Sequence, residues 1–488
     1  MKVRRVFDVV GPSGVVPNGI NWNFIETFWN HDFYVNHNLI NDFNKKYKQI
    51  GVYDCNLNLP EDYIKNYHIN DLNYDKNENL ISNQINEQFF YTIHPFGNLN
   101  VCNGSETNYH QNRHAFDFIS KRAKEYSNAK NFWILFDYSS EGDIRNHIFE
   151  YIHAACERNN INPSKVIVIT ASENTSDIYK QYLKNNPQDN LLYTAFYPWS
   201  LLAKAKDTYN ILIEKKKIQF NQFENENSLI EDDELDGLTN RESHALCLNR
   251  RLAPHRIVII SWLLENNLFD KTKTSFDLSL QHNHDEIGLN LTSRNEEMGG
   301  PYLSNQDKIN EILSGFRKMK KLGKNVVDTE DIEGVWGFAF EDSENYKSTY
   351  FSIVTESLFY EPGAYLSEKI WKPIQHLHPF VLVGKPNMLK FLHNLGFKTF
   401  SEFWDESYDT IEDNTIRIDK ICSVLSNLLN KSKQEWDELN TKLKPILLHN
   451  RKLLLSYQES RISNTYIQNL LKLIEDEPNK ENYYLLSE

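Results

Sequence analysis

Three short, unbroken apolar runs constrain the fold of this chain more than any other feature. They are FWILFDY at 132–138, KVIVIT at 165–170 and PFVLVG at 379–384. A strand that is apolar on both faces is typical of a parallel sheet covered by helices on both sides. Helical periods follow these runs at about 143–159, 175–184 and 387–394. This alternation of strands and helices predicts an α/β fold.

The same pattern predicts further elements in both halves of the chain. The predicted strands are 6–10, 191–196, 244–250, 351–356 and a short one at 397–400. A helix is predicted at 255–267, and long helices from residue 416 onward. A chain of 488 residues is too long for one core. Two series of elements therefore predict two Rossmann-like domains facing a cleft, with C-terminal helices.

A polar segment separates the two series. Residues 221–242, NQFENENSLIEDDELDGLTNRE, are acidic and have no apolar period. This composition predicts an interdomain linker, although a long surface loop within one domain would look the same. The predicted domains are 1–240, which includes the acidic segment, 241–450, and a helical tail at 451–488.

Charge and cysteine content narrow the class of protein. The formal net charge of −14 disfavours a nucleic acid partner, whose phosphates usually meet basic clusters. Five cysteines without CxxC spacing indicate neither a disulfide framework nor a zinc site. We expect no membrane span, because no apolar stretch approaches roughly 18 residues, and the N-terminus resembles a strand more than a signal peptide. The expected location is the cytoplasm, or the host cytoplasm if the chain is viral.

The stretch 350–384 carries the strongest chemical signal. A strand ends in Glu356 and Ser357, and a loop leads to Tyr365, Ser367, Glu368 and Lys369 at the start of a helix. Ser367 is a suitable N-cap, and a helix N-terminus at the carboxyl end of a parallel sheet favours a diphosphate.

The charged residues of this stretch suggest separate tasks. Lys369 would add positive charge beside a diphosphate, whereas Glu356 and Glu368 would repel it and suit ribose or sugar hydroxyls. Pro373 in the second turn predicts that the helix kinks or begins later than Ser367. An ordinary strand–loop–helix with a solvated Glu and Lys is the alternative.

This stretch resembles the donor site of the α1,3-fucosyltransferase family. Members carry an F-E-N-S-type strand end, then Y-x-T-E-K-[LI]-W, then a P-V-x-x-G strand. Here Glu368, Lys369 and Trp371 match, Ser367 replaces Thr, and Thr355-Glu356-Ser357 lacks the Asn. The resemblance covers about 35 residues closely, the rest of the second domain loosely, and none of the first domain. It implies a GT-B fold and a GDP-linked sugar donor, whose ribose and diphosphate Glu368 and Lys369 would contact.

A second cluster surrounds the turn after the strand at 244–250. It consists of Asn249, Arg250, Arg251, His255 and Arg256. Arginines near a helix N-terminus oppose the helix dipole unless an anion is present, so a phosphate ligand is predicted here. A solvated basic loop is the alternative. Asn-Arg-Arg followed by His-Arg also resembles bacterial and viral glycosyltransferases of the same fold.

The general base is predicted from the loop 137–143, DYSSEGD, after the strand FWILFDY. Glu141 is the candidate catalytic carboxylate, with Asp137 and Asp143 nearby, and a capping role for Glu141 is an equal alternative. His110 and His114 could suggest a metal, but no third ligand is close in sequence. The acidic clusters 231–236 and 71–75 follow no strand, unlike the metal-binding DxD motif of GT-A transferases. We therefore expect no metal site.

The sequence therefore predicts a metal-independent, inverting glycosyltransferase. Its co-substrate would be a nucleotide-diphosphate sugar rather than a bound cofactor, and its acceptor a glycan, small molecule or protein. The acceptor-side domain would be 1–240 and the donor domain 241–450. A catalytically silent nucleotide-binding or assembly protein is the alternative, and a viral transferase acting on DNA bases is a further one. A dehydrogenase is disfavoured, because no G-x-G-x-x-G follows a strand.

Overall fold

The computed structural model of the chain describes the following residues: 2–7, 64–68, 73–74, 80–81, 87–93, 121–138, 146–198, 200–201, 205, 230, 232, 234–249, 252–278, 294–295, 300–301, 305–327, 343–360, 363–459, 469, 471–476, 478 and 483–484. The chain forms two compact units. Unit 1 is Met1–Trp199 together with Glu459–Glu488, and unit 2 is Ser200–Gln458. The C-terminal residues therefore belong with the first unit.

The described strands alternate with helices in both units. The strands are β1 (Lys2–Phe7), β2 (Ile64–His68), β3 (Asn73–Tyr74), β4 (Leu80–Ile81), β5 (Glu87–Ile93), β6 (Phe132–Tyr138), β7 (Val166–Thr170), β8 (Tyr193–Phe196), β9 (Ser243–Asn249), β10 (Thr272–Asp277), β11 (Arg294–Asn295), β12 (Gly300–Pro301), β13 (Lys324–Asn325), β14 (Thr349–Thr355), β15 (Phe380–Val383) and β16 (Tyr483–Tyr484).

The described α-helices include two long ones near the end of unit 2. The helices are α1 (Lys121–Tyr126), α2 (Asn146–Asn159), α3 (Thr175–Asn185), α4 (Pro254–Glu265), α5 (Gln306–Leu322), α6 (Ser343–Lys347), α7 (Glu368–Gln375), α8 (Met388–Asn394), α9 (Asn414–Leu429) and α10 (Lys433–Glu459). No helix among the described residues is both long and apolar enough to cross a membrane.

Unit 1 is built on a seven-stranded sheet in the order β16-β8-β7-β6-β5-β1-β2. Each neighbouring pair in this sheet is parallel. The central strands β6 and β7 are buried because they carry apolar side chains on both faces, and they pack against apolar residues of α2 and α3. A short terminal strand, β16, continues the sheet beside β8 and was not predicted from the sequence.

Unit 2 contains a five-stranded sheet in the order β13-β10-β9-β14-β15. Strands β10, β9, β14 and β15 are parallel, and the edge strand β13 is antiparallel to β10. Nine consecutive residues of α4, from His255 to Leu263, are buried. This helix therefore has no solvent face over most of its length, rather than the single apolar face expected of a surface helix.

The fold class predicted from the sequence is confirmed: the chain is α/β, with two Rossmann-like domains on largely parallel sheets. The predicted strand at 397–400 is wrong, because this segment has no regular secondary structure. Its Lys398 amide donates to Asn450 Oδ1 and its carbonyl accepts from Asn450 Nδ2, both at 2.8 Å. These bonds to α10 replace the pairing that a strand would need.

Helix α7 begins directly after Ser367 and contains Pro373. Of the two outcomes predicted for Pro373, a kink or a later start of the helix, the later start is therefore wrong. The amide of Lys369 is capped by Ser367 Oγ at 3.3 Å. The helix has only eight residues, and His378 donates its amide hydrogen to the Pro373 carbonyl at 2.9 Å just beyond its end.

The described part of the acidic segment 221–242 belongs to unit 2 and packs against its last helix, α10. Ile230 and Leu235 are buried, and Arg451 of α10 donates to the Ile230 carbonyl and pairs with Asp232. Asp236 pairs with Lys444 at 2.7 Å. Asp232 and Asp236 therefore pair with basic residues of α10, and the two buried apolar residues anchor the segment.

Candidate functional site

The polar residues predicted to bind a ligand meet at one edge of the unit 2 sheet. The strand order reverses between β9 and β14, and the carboxyl ends of these strands carry Asn249 and Thr355. Ligands of open α/β sheets bind at such a switch point, outside the carboxyl ends of the strands. The Thr355 hydroxyl donates to Asn249 Oδ1, and Asn249 Nδ2 donates to Cys247 Sγ at 3.0 Å. Asn249 thus ties the two strand ends together.

Glu356, directly after β14, is fully buried. Its Oε2 accepts the amide hydrogens of Ser357 and Ser367, each at 3.1 Å. Its Oε1 is buried and has no hydrogen-bond partner among the described residues. One carboxyl oxygen therefore closes the loop between β14 and α7, bringing residue 357 next to residue 367.

Lys369 lies in the first turn of α7 and collects three oxygens. Its Nζ donates to Ser357 Oγ at 3.1 Å, to Ser367 Oγ at 3.4 Å and to Glu368 Oε1 at 2.5 Å. The Lys369 and Glu368 side chains are 26% and 19% exposed to solvent, so a ligand can reach the pair. A compact ammonium in such a position can bind a phosphate oxygen.

The two carboxyl groups beside Lys369 have pKa values that are shifted in opposite directions. Burial raises the pKa of Glu356, and the charge of Lys369 only partly opposes this. Burial would also raise the pKa of Glu368, but the charge and hydrogen bond of Lys369, helped by Lys372, hold it down at about 2. Glu368 is therefore ionised at neutral pH, whereas Glu356 is the group that holds a proton more readily.

His255 and Arg256, in the first turn of α4, bind the backbone of the same strand end. His255 Nε2 donates to the Glu356 carbonyl at 2.8 Å, and Arg256 donates to the same oxygen at 3.2 Å. Burial and the neighbouring Arg256 charge lower the pKa of His255 to about 3, so its ring is neutral. In this structure both side chains support β14, and neither buried side chain is presented to solvent.

The loop before α7 is anchored through a residue far away in sequence. The Ser200 hydroxyl donates to the Leu366 carbonyl at 2.6 Å and accepts from Trp371 Nε1 at 3.1 Å. Tyr365, the residue before Leu366, is buried. Glu356 thus joins the two ends of the loop, and Ser200 fixes its α7 end.

Two further residues shape this edge and were not predicted from the sequence. Arg417 of α9 is buried and donates to the carbonyls of Gly384, Ile411, Glu412 and Phe359 and to Asn414. Asp409 accepts the amide hydrogens of Leu389 and Lys390 at 2.9 and 3.2 Å, which caps the start of α8. Arg417 meets Gly384 and Phe359 only through the tertiary fold, and no local sequence pattern marks it.

Several predicted residues lie outside the described residues. They are Arg250 and Arg251 of the basic cluster, Glu141 and Asp143 of the candidate base loop, and the alternative metal ligands His110 and His114. Asp137 is described as the penultimate residue of β6. Within the described parts of the chain, no group of three or more His, Cys, Asp or Glu is arranged to hold a metal ion.

Comparisons with known proteins give only distant likenesses. No family model and no curated protein matches the chain. A solved α,α-trehalose 6-phosphate synthase from Burkholderia multivorans matches 80% of this chain and 71% of that chain, with 8% identity and a TM-score of 0.36. The N-terminal domain of Candida albicans trehalose-6-phosphate phosphatase matches 97% of both chains, with 10% identity and a TM-score of 0.36.

A third solved structure, the trehalose-6-phosphate synthase OtsA, matches 78% of this chain and 72% of that chain, with 11% identity and a TM-score of 0.34. All three TM-scores lie below 0.5, so the likeness is too distant to assign a substrate or an activity to this chain. The α/β class rests on the two sheets themselves.

Proposed function

We propose that the chain is a glycosyltransferase of the GT-B type that binds a nucleotide-diphosphate sugar at the carboxyl edge of the unit 2 sheet. The observation that carries this proposal is the setting of Lys369. Its ammonium is held at a topological switch point by two serine hydroxyls and a partly exposed carboxylate. Such an arrangement offers positive charge to a diphosphate and a carboxylate to ribose hydroxyls.

The residues of the site divide into ligand-facing and supporting groups. Lys369 is assigned to the diphosphate and Glu368 to ribose hydroxyls, because both side chains remain partly exposed. Ser357 and Ser367 hold the ammonium. Asn249, His255, Arg256 and Tyr365, predicted as donor-binding residues, are assigned to support the strand ends and the loop.

The finer parts of the proposal rest on the resemblance to α1,3-fucosyltransferases. They are a GDP-linked donor and inversion at the sugar carbon. A donor site that works without a metal is proposed on another ground, because the sequence has no strand-linked DxD motif and offers arginine and lysine charges instead. Arg250 and Arg251 would add charge beside the diphosphate, and Glu141 would take the proton from the acceptor hydroxyl. The acceptor class stays open among glycans, small molecules and proteins, with nucleic acid disfavoured by the acidic net charge.

The test is a thermal-shift screen of the full chain with GDP-, UDP- and ADP-linked sugars, which carry a diphosphate, and with a CMP-linked sugar, which carries one phosphate, as the contrast. A ligand present at a hundred times its Kd stabilises the folded state by about 2.7 kcal/mol, which shifts the melting temperature measurably. We expect one nucleotide class to stabilise the wild type, and Lys369→Met to lose that shift. EDTA should leave the shift unchanged.

Each arm of this screen has its own negative result. The absence of a shift with any of these sugars would reject the proposed donor site. A shift that Lys369→Met retains would place the nucleotide elsewhere. A shift abolished by EDTA would reject only the metal independence of donor binding.

A further inference from the structure

The support of Lys369 depends on one buried carboxyl oxygen. Glu356 Oε2 accepts the amide hydrogens of both Ser357 and Ser367 at 3.1 Å. The hydroxyls of the same two serines accept from Lys369 Nζ. Glu356 thus positions the ammonium indirectly, through Ser357 and Ser367. Among the described hydrogen bonds, none joins Glu356 to the ammonium itself.

The other oxygen of Glu356 is the place for a proton. Oε1 is buried and has no hydrogen-bond partner in the described part of the chain, whereas Oε2 already accepts two N–H groups. A proton on this carboxyl therefore sits on Oε1 and leaves both backbone bonds intact. A buried carboxylate oxygen without a partner is costly, so burial favours the neutral acid. The raised pKa of Glu356 agrees with this geometry.

The charged groups around Glu356 determine whether a diphosphate is attracted or repelled. Helix α7 contributes Lys369 and the ionised Glu368, with Lys372 close enough to lower the pKa of Glu368. Helix α4 contributes a neutral His255 and an Arg256 that donates to backbone carbonyls. Arg417 of α9 donates to the Gly384 carbonyl. If both glutamates are ionised, two carboxylates share the single ammonium of Lys369, and a diphosphate is repelled.

We propose that Glu356 is a positioning residue that works as the neutral acid: when the diphosphate of a nucleotide sugar binds at Lys369, Glu356 takes up one proton from solvent on Oε1 and keeps both serines in place through Oε2. This inference rests on the proposed donor site. Binding and protonation are then coupled, because the incoming negative charge favours the neutral form of Glu356.

The coupling fixes the direction of the pH dependence. Donor affinity rises as pH falls, since the bound state holds one more proton, and the change is at most about tenfold for each pH unit. Glu368, with a pKa of about 2, and His255, with a pKa of about 3, do not titrate between pH 5.5 and 8.5. A nucleotide sugar is a suitable probe because its diphosphate lacks the second ionisation, near pH 6, of a terminal phosphate.

The experiment measures the Kd of GDP-fucose and UDP-glucose for the full chain from pH 5.5 to 8.5. The variants are Glu356→Gln, Glu356→Ala and Lys369→Met, each checked by its melting temperature. Glutamine keeps an oxygen for the two serine amides and is permanently neutral. We expect the wild-type Kd to rise as pH rises, and Glu356→Gln to bind at every pH as the wild type does at low pH. Glu356→Ala should bind at least tenfold more weakly throughout.

The outcomes separate this inference from the proposed function. If the wild type binds with a flat pH profile, or Glu356→Gln binds as weakly as Glu356→Ala, Glu356 acts as a carboxylate and the inference is overturned. Loss of binding in Lys369→Met would still support the donor site in that case. If the wild type binds neither of these two nor any other sugar nucleotide of the thermal-shift screen at any pH, both proposals are overturned. The pH profile of wild-type binding tests the inference even if none of the variants folds.

Discussion

Lys369 and Glu368 form one ion pair, yet each has its own expected effect on sugar transfer. Lys369 is assigned to the diphosphate, where negative charge builds as the nucleotide leaves. An interaction that strengthens in the transition state lowers kcat as well as affinity when it is removed. We expect Lys369→Ala to reduce kcat/KM roughly ten- to a hundredfold, the effect of losing a charged hydrogen bond worth about 1.5–3 kcal/mol. Steady-state kinetics of transfer or donor hydrolysis measures this.

Glu368 is assigned to ribose hydroxyls, which do not change during the reaction. Its removal takes away binding that is equal in the ground state and the transition state, so Glu368→Ala should raise KM and nearly keep kcat. Arg250→Ala should behave like the lysine variant if that arginine reaches the phosphates. A lower KM in Glu368→Ala would mean that this carboxylate, now 2.5 Å from Lys369 Nζ, competes with the donor for the ammonium.

The contact between helices α4 and α5 depends on one glycine. A Cβ at Gly315 of α5 would lie 1.9 Å from the Ser261 carbonyl oxygen of α4. Glycine to alanine in a helix interior normally stabilises by about 1 kcal/mol, but here the two backbones would have to separate. We expect Gly315→Ala to lower the free energy of unfolding by about 1–3 kcal/mol, measured by urea denaturation. Gly237→Ala, with no atom within 4 Å of the added Cβ, is the matched control and should be nearly neutral.

The acidic segment is attached to α10 by one buried arginine and by exposed ion pairs. Arg451 is buried and binds the Ile230 carbonyl and Asp232. Arg451→Met should leave that carbonyl without its donor, cost about 1–3 kcal/mol, and expose residues near 230 to limited proteolysis. Lys444→Ala removes a more exposed pair with Asp236 and should change stability by less than about 1 kcal/mol. Equal protease resistance of the two variants would contradict the anchoring role of Arg451.

Whether a strand was predicted correctly from the sequence depends on how its two faces are buried. The strand predicted at 132–138 coincides with β6, because a strand buried on both faces has an unbroken apolar run. Strands β5 and β10 were missed, since EQFFYTI and TKTSFD mix polar and apolar residues. The wrong strand at 397–400 shows the opposite case: its β-like composition is overridden by Asn450, which binds its backbone from 52 residues away.

At the scale of the whole molecule, the sequence predicted where the candidate site lies but not what each of its side chains does. The sequence predicted that Asn249, Glu356 and Lys369 lie at one edge of the sheet, because the carboxyl ends of parallel strands share an edge. It did not distinguish the roles of the side chains. Glu356 was expected to bind ligand hydroxyls, and in the structure its Oε2 binds two backbone amides. Arg417 was missed, since its partners Gly384 and Phe359 are brought to it only by the tertiary fold.

Buried histidines make the stability of the whole molecule sensitive to acid. His378 is fully buried: its Nε2 donates to the Thr349 carbonyl at 2.7 Å, and its Nδ1 lies 2.8 Å from Ser352 Oγ, whose hydroxyl donates to it when the ring is neutral. Burial lowers its pKa well below 6.5. Below pH 6.5 the unfolded chain therefore takes up a proton that the folded chain refuses, so stability is lost as pH falls from 6.5 toward the folded pKa.

The expected loss is about 1.4 kcal/mol for each pH unit, or roughly 2 kcal/mol between pH 6.5 and 5, from this one histidine. Buried Glu356, Glu406 and Asp409, whose pKa values burial raises, act in the opposite direction as pH falls. A comparison of slopes removes their contribution, because the wild type and His378→Gln share these acids. Urea unfolding at pH 6.5 and 5 should show a smaller loss of stability in His378→Gln, since glutamine keeps an acceptor and a donor without titrating. Equal losses in the two proteins would mean that His378 is protonated in the folded chain.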